Sequence, residues 1–249
     1  MLLFVCYQSM EPETSLQSKI STPIAIVIAG VIIAGAVIWG TSRSATAPTQ
    51  VANSPQEQTA PAVDSTKVNT TGNPVIGNVN AALTIAYWYD YQCPFCKQNE
   101  EIAMPQLVKD YVDTGKAKVV FKDFQFLGED SQTLGQYSRA VWAVAPDKFY
   151  KWHKFVYDNQ GTENTGWATQ TKIRSLTTGV LGASDTAKVE QLVKTNGGAY
   201  QKQMDADKAE GTGDGVNGTP AMIIGKQLVS GAVPYAQIQA AVETALKVK

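Results

Sequence analysis

Between Ile85 and Cys96 the chain passes from an apolar, aromatic run into a pair of cysteines, Ile-Ala-Tyr-Trp-Tyr-Asp-Tyr-Gln-Cys-Pro-Phe-Cys. Aromatic and β-branched residues of this kind suit a buried strand. Behind the cysteines Ile102, Ala103, Leu107, Val108 and Tyr111 recur at three- and four-residue steps, the spacing of a helix with one apolar face. The cysteine pair therefore sits where a strand turns into a helix, and any fold for this chain has to be built around that junction.

The junction has chemical consequences. A helix N-terminus carries unpaired N–H groups and the positive end of the macrodipole. Cys93 falls at the cap, where those donors favour its thiolate, the nucleophile of disulfide exchange. Pro94 falls at the first helical position, where a missing N–H costs nothing. Cys96 lies one turn further in, within disulfide reach and away from solvent. This predicts Cys93 as the attacking thiol and Cys96 as the resolving one. Half of a zinc site is a poor alternative, because the chain offers only three cysteines and one histidine, with Cys6 far from the pair. A purely structural disulfide would close a very short loop and gain little from it.

The first forty residues read differently. Pro23–Gly40 is an uncharged apolar run, and with Ile20 to Thr22 it reaches roughly the 20 residues that span a bilayer as a helix. Trp39 would anchor its far end at the interface. A cleaved signal peptide is the alternative: Ala45-Thr46-Ala47 resembles a cleavage tripeptide, but Pro48 follows it. An uncleaved, single-pass signal-anchor is the reading favoured here. Lys19 and Arg43 flank the run and leave the charge rule tied. The cysteine pair breaks the tie, since oxidised pairs persist outside the cytosol. The expected location is the cell membrane, with the catalytic domain extracytoplasmic. Residues 1–22 form a short N-terminal segment in which Met10 is an alternative start and Cys6 an alternative, poorly framed lipidation site.

Residues 41–72 are Thr, Ser, Ala, Pro, Gln and Asn with almost no large apolar residues, which predicts a flexible tether. The folded domain is expected over 73–249. Its pattern is a lead-in near Val75, a strand Leu83 to Tyr89, the cysteine helix stopped at Asp113-Thr114-Gly115, and a strand Lys118 to Phe124. Strand, helix, strand implies a parallel pair. A helical insertion follows over about 131–210. Tyr137, Ala140, Val141 and Val144 share one face, and Phe149, Trp152 and Val156 another. Val189, Leu192 and Val193 support a further helix capped by Ser184 or Asp185. The aromatics Trp142, Phe149, Trp152 and Phe155 are expected in the core of this insertion, and His153 at a helix surface or boundary. Strands then return at Ala221 to Ile224 and Gln227 to Val229, joined through Gly225-Lys226, before a last helix opened by Pro234.

Gly218-Thr219-Pro220 stands directly ahead of that hairpin, where a proline cannot donate a ladder hydrogen bond. Taken with Asp90-Tyr91-Gln92-Cys93-Pro94-Phe95-Cys96 after one strand and Val120-Phe121-Lys122-Asp123-Phe124 in the next, it makes the chain resemble the thioredoxin superfamily. Within it, the chain is similar to the DsbA-like thiol–disulfide oxidoreductases that carry a helical insertion, over about 73–249. The resemblance implies an α/β thioredoxin-like fold and a cis Thr219–Pro220 bond beside the sulfurs. It also implies that the Thr219 backbone pairs with an extended substrate while Pro220 shapes the groove. It gives Pro94, Phe95 and Asp90 a part in tuning the pair.

The chain departs from the family in one place. Many relatives carry a buried acid six residues before the first cysteine, and here Tyr87 stands there. Lys97, Glu100 and Glu101 are expected to be solvated helix-surface charges. Phe95 stands where strongly oxidising relatives often have a histidine, and it cannot donate a hydrogen bond to a thiolate.

The implied activity is oxidation of protein dithiols by a Cys93–Cys96 disulfide in a membrane-anchored monomer. It needs no metal or organic cofactor, and a membrane redox partner resets the pair. A reductase or isomerase of the same fold remains open, as does a non-catalytic peptide-binding or chaperone module. A net charge of −1 without a basic block argues against nucleic acid as a partner.

Overall fold

The computed structural model describes residues 62–248. The expected anchor Pro23–Gly40, Cys6, both candidate starts and most of the expected tether lie outside the described residues. Among the described residues no helix is long and apolar enough to cross a membrane.

Five strands, β1 (Val75–Ile76), β2 (Leu83–Tyr89), β3 (Ala117–Asp123), β4 (Ala221–Ile224) and β5 (Gln227–Ser230), form one sheet in the order β1-β3-β2-β4-β5. The central β2 runs parallel to β3, from Leu83 opposite Ala117 to Tyr89 opposite Asp123. It runs antiparallel to β4, from Ile85 opposite Ile224 to Trp88 opposite Ala221. A strand covered on both faces reads as a continuous apolar run rather than an alternation, which is why β2 carries aromatics at three consecutive positions. Ile85, Tyr87 and Tyr89 join the larger core with Met104 and Leu107 of α1 (Pro94–Leu107) and Ile238 and Val242 of α6 (Tyr235–Lys247). Ala86 and Trp88 face the other way, into a smaller cluster with Phe124, Val216 and Ile223.

That smaller cluster also holds Val63 and Val68, both buried. Residues 62–72 are thus packed on the domain, not part of a free tether. Ser65 N donates to Gly225 O at 2.8 Å, Asn69 N to Glu210 Oε1 at 2.6 Å, and Lys122 Nζ to Asn69 O at 2.8 Å. Two valines in a polar stretch suffice to dock it, since each buried side chain of this size contributes about 1.5–3 kcal/mol.

The insertion between β3 and β4 comprises α2 (Glu129–Val144), α3 (Phe149–Asp158), α4 (Gln170–Leu181) and α5 (Ala183–Gly213), slightly longer than the expected 131–210. Neither Ser184 nor Asp185 caps α5. Gly182, at φ +86°, ends α4 by donating to Thr178 O and opens α5 by accepting from Thr186 N. The last turns of α5 return to the sheet. A side chain at Gly211 would come within 2.6 Å of Trp88 Nε1, so glycine there allows the approach, and Trp88 Nε1 donates to Asp207 O at 2.9 Å. Beside this contact lies a buried ion network. Lys122 of β3 pairs with Asp207, and with Glu210 at 2.7 Å. Arg139 of α2 pairs with Asp123 at 2.7 Å and with Asp207 at 2.5 Å.

Candidate active site

β2 ends at Tyr89, the chain turns through Asp90, Tyr91 and Gln92, and α1 begins at Pro94. Cys93 is the N-cap in extended geometry, φ −69° and ψ 118°. Its N–H donates to Asp90 O at 3.1 Å, and its carbonyl accepts from Cys96 N at 3.1 Å and Lys97 N at 3.2 Å. Opposite, β4 starts at Ala221 in register with Trp88, which brings the loop before it to the same end of the sheet. The Thr219–Pro220 bond is cis, and Cys93 Sγ donates to Thr219 O at 3.3 Å. The sequence-expected Cys93, Cys96, Thr219 and Pro220 therefore converge. Phe95 stands beside them, 60% exposed.

The two thiols are in unlike surroundings. The Cys96 thiol beside it, followed by Thr219 and the backbone N–H groups of Cys96 and Phe95, holds the Cys93 thiol down to about 6 against the opposing effect of burial. Cys96 is wholly buried, and burial, followed by its partner Cys93, pushes its thiol well above the usual range. The Thr219 side chain favours the thiolate at both sulfurs, although its buried hydroxyl has no hydrogen-bond partner. Its backbone, not its side chain, was the expected contributor.

Asp90 is buried and its carboxylate is spent on its own turn, the loop after β3 and the first turn of α2. Oδ1 accepts from Gln92 N at 2.8 Å and Ser131 Oγ at 2.5 Å, and Oδ2 from Phe126 N at 2.8 Å and Leu127 N at 3.0 Å. Burial raises its carboxyl against these four bonds. The insertion completes the clamp on the turn. Tyr157 hydroxyl donates to Asp90 O at 2.9 Å, and Gln160 Nε2 to Tyr91 O at 2.8 Å and Cys93 O at 3.1 Å.

Two expectations are corrected. Glu100 is not a solvated charge and His153 is not at a surface; both are wholly buried, with Glu100 Oε1 3.2 Å from His153 Nε2. Helical spacing carried the signal. Glu100 follows Cys96 by four residues, and His153 follows Phe149 by four and precedes Val156 by three, so each lies on the inward face of its helix. Lys97 and Glu101 do reach solvent, 3.9 Å apart. Among the described residues no group of three or more His, Cys, Asp or Glu side chains is placed to hold a metal ion. A groove of about 270 Å³ runs along α1 past Gln98, Ile102, Val233 and Pro234. A larger cavity of about 370 Å³ lies by Leu83, Ile224 and Ala245 and includes none of the site residues.

The family described as thioredoxin matches residues 69–244. A Bacillus subtilis protein described as disulfide bond formation protein D is 28% identical over 186 residues, covering 72% of this chain and 79% of its own. The crystal structure of oxidised BdbD from Bacillus subtilis superposes with a TM-score of 0.66 at 25% identity, over 75% of this chain and 98% of that one. The thiol–disulfide exchange protein alpha-DsbA2 of Wolbachia pipientis gives a TM-score of 0.61 at 23% identity, over 70% and 87% of the two chains, a likeness of fold.

Proposed function

The chain belongs to the thioredoxin family, as a DsbA-like thiol–disulfide oxidoreductase, and from that premise we propose that it oxidises dithiols of substrate proteins outside the cytosol. In this reading Pro23–Gly40 tethers the domain to the cell membrane, and the enzyme works as a monomer. The observation that carries the exchange chemistry is the Cys93 sulfur at the helix N-cap, 3.3 Å from Thr219 O beside the cis Thr219–Pro220 bond, and the low position of its thiol, about 6, favours the oxidising direction. A thiol that is largely thiolate at neutral pH stabilises the dithiol form and leaves readily, both of which favour giving the disulfide away. Relatives described as disulfide bond formation proteins support the same direction.

The exchange needs only the two sulfurs. A substrate thiolate attacks Sγ of Cys93, the Cys93–Cys96 bond breaks, and Cys96 leaves with the electron pair and takes a proton. A second substrate thiolate attacks the substrate sulfur of the mixed disulfide, releases the oxidised product and leaves Cys93 as thiolate. A membrane redox partner then withdraws the electron pair and restores the disulfide. The backbone at Thr219 docks the extended substrate, Pro220 shapes the groove, and the exposed ring of Phe95 beside Cys93 offers it an apolar flank.

The equilibrium potential of the Cys93–Cys96 couple against glutathione tests the direction. A value near about −120 mV fits an oxidase, whereas one near about −270 mV is that of a reductase and would overturn it. Cys93→Ser is expected to abolish dithiol oxidation and Cys96→Ser to trap mixed disulfides. A module that uses the groove without chemistry would keep its activity with both cysteines changed.

A further inference from the structure

The segment from Tyr157 to Asn164, at the end of α3 and in the loop behind it, reaches every residue of the turn that leads into the cysteine pair. Tyr157 hydroxyl donates to Asp90 O at 2.9 Å, Gln160 Nε2 to Tyr91 O at 2.8 Å, and Asn164 N to Gln92 Oε1 at 2.8 Å. The next residue is Cys93 itself, whose carbonyl accepts from Gln160 Nε2 at 3.1 Å. One carboxamide thus joins the backbone on both sides of Gln92. The loop is shaped to bring it there. Gln160 N donates to Tyr157 O at 3.0 Å as α3 closes. A side chain at Gly161 would come within 2.6 Å of Trp167 Cβ, so glycine lets the chain pass that ring. Asn164 then takes φ +58°, a region that asparagine tolerates better than most residues.

The Cys93 carbonyl has two lone pairs and three donors, Cys96 N at 3.1 Å, Lys97 N at 3.2 Å and Gln160 Nε2. The first two open α1. The direction of this carbonyl therefore goes with that of the Phe95 and Cys96 N–H groups, which help to hold the Cys93 thiol low. A carbonyl oxygen also carries partial negative charge, and this one belongs to the same residue as the sulfur. A third donor offsets that charge and fixes the carbonyl in place. The fold has little need of the bond for its own sake. Gln160 is half-buried, and an amide so placed gains little net stability by exchanging water for a carbonyl.

We propose that Gln160 is a positioning residue for the exchange reaction, holding Tyr91 O and Cys93 O so that the sulfur of Cys93 stays with the first N–H groups of α1 as a thiolate; the proposal rests on the thiol–disulfide reading above. The helical insertion then belongs to the redox centre itself. Gln160 acts through the Cys93 carbonyl and brings no charge of its own. The ionisable groups about the pair are Tyr87 on β2, Asp90 in the turn, Cys96 on α1 and Tyr157 on α3. Each of them is kept in the variants that test the proposal.

The test follows alkylation of Cys93 by iodoacetamide in the reduced full-length protein from pH 4 to pH 9, with the modified site read by mass spectrometry. Each protein is also equilibrated with glutathione, and its oxidised form is unfolded in urea. Gln160→Ala removes the donor without adding charge. Gln160→Glu keeps the length but sets a carboxylate against two carbonyl oxygens and beside a thiolate. In Gln160→Glu the alkylation midpoint is expected to rise by about 1 pH unit, so that the rate at pH 6 falls roughly five-fold while the limiting rate at pH 9 holds. Gln160→Ala should shift the midpoint the same way but less far, and both couples should become less oxidising. A parent midpoint in both variants, or a rate lowered by the same factor at every pH, overturns the proposal. So does a lower urea midpoint with no shift in alkylation, which is what a purely structural bond would give. Should one variant fail to fold, the other decides by the same curve. If the parent forms no mixed disulfide with oxidised glutathione, the thiol–disulfide reading itself falls. If it does, and the variants alkylate with the parent's midpoint, only the role of Gln160 falls.

Discussion

The sulfur of Cys93 stands 3.3 Å from the carbonyl oxygen of Thr219, a residue 126 positions further along the chain. The contact is fixed by sheet register, because β4 begins one residue after Pro220 with Ala221 opposite Trp88. It joins the two halves of the site, the helix N-terminus that favours a thiolate and the backbone that can receive an extended chain. Because that carbonyl accepts from the Cys93 thiol, a substrate peptide laid along Thr219 would bring its own sulfur to Cys93.

Cys93 should title the reduced protein's stability as well as its reactivity. Its thiol lies at about 6 in the fold against an ordinary value of 9.0. Between these the native state has lost a proton that the unfolded chain keeps, so stability rises with pH and is lost as pH falls through about 6. Denaturant unfolding of the reduced form should gain about 1.4 kcal/mol per pH unit in that window relative to the oxidised form, which has no thiol to titrate. Thiolate absorbance should show a midpoint near the same pH. A flat difference between the two forms would contradict the assignment.

Thr219→Val keeps the carbonyl and removes the hydroxyl that favours both thiolates. The Cys93 midpoint should move up and the couple should become less oxidising. Because that hydroxyl has no hydrogen-bond partner, the effect should not exceed the lower end for a hydrogen bond to a charged group, about 1.5 kcal/mol or roughly 30 mV. Unfolding of the oxidised form should change little, since that hydroxyl has no hydrogen-bond partner to lose. Equilibration with glutathione and a urea titration separate the two effects.

Truncation to begin at Asn73 removes Val63 and Val68 from the cluster over Trp88, together with the Asn69 bonds to Lys122 and Glu210. Two valines at about 1.5–3 kcal/mol each predict a loss of about 3–6 kcal/mol. Truncation to begin at Pro61 should cost nothing comparable. Urea midpoints of the two truncated chains check this, and equal midpoints would return residues 62–72 to the tether.

Asp207→Asn takes one carboxylate from both Lys122 and Arg139. Leaving a buried charge short of its partner costs about 3–5 kcal/mol. Glu210 still faces Lys122 and Asp123 still faces Arg139, so the lower end is expected. The redox potential should hold, because Asp207 is not among the groups that set either sulfur. A shift in potential without loss of stability would mean that the network reaches the sulfurs.

The parts of the site that could be read from the chain were those fixed by local rules. The strand–helix junction at Cys93 follows from composition and spacing, and the Gly225-Lys226 hairpin from its turn residues. Thr219-Pro220 acquired meaning only through resemblance, since nothing local distinguishes a proline beside the sulfurs from one that ends a loop. Glu100 and His153 run against the default, since a polar or ionisable side chain is expected at the solvent. Each lies on the inward face of its helix, but only the packing of α3 against α1 reveals that the two meet. Val63 and Val68 were lost in a polar average. Asp207 lies far along α5 from Lys122, and long-range pairing of that kind leaves no periodic trace.

Phe95 completes the series. Its ring is 60% exposed beside Cys93 and brings no donor, so the thiolate relies on Cys96, Thr219 and the helix amides. Phe95→His places a donor one side chain away. A charge-assisted bond at such an exposed position should deliver the lower end of the usual range, about 1.5 kcal/mol, which converts to roughly 30 mV. The couple should become more oxidising by that amount and the Cys93 midpoint should fall. Because the ring lies outside the core, stability of the oxidised form should stay within about 0.5 kcal/mol of the parent. Equilibration of both proteins with glutathione, with thiolate absorbance measured alongside, reads the two shifts together. A potential that moves while the midpoint stays would show that residue 95 acts on the disulfide form and not on the thiolate.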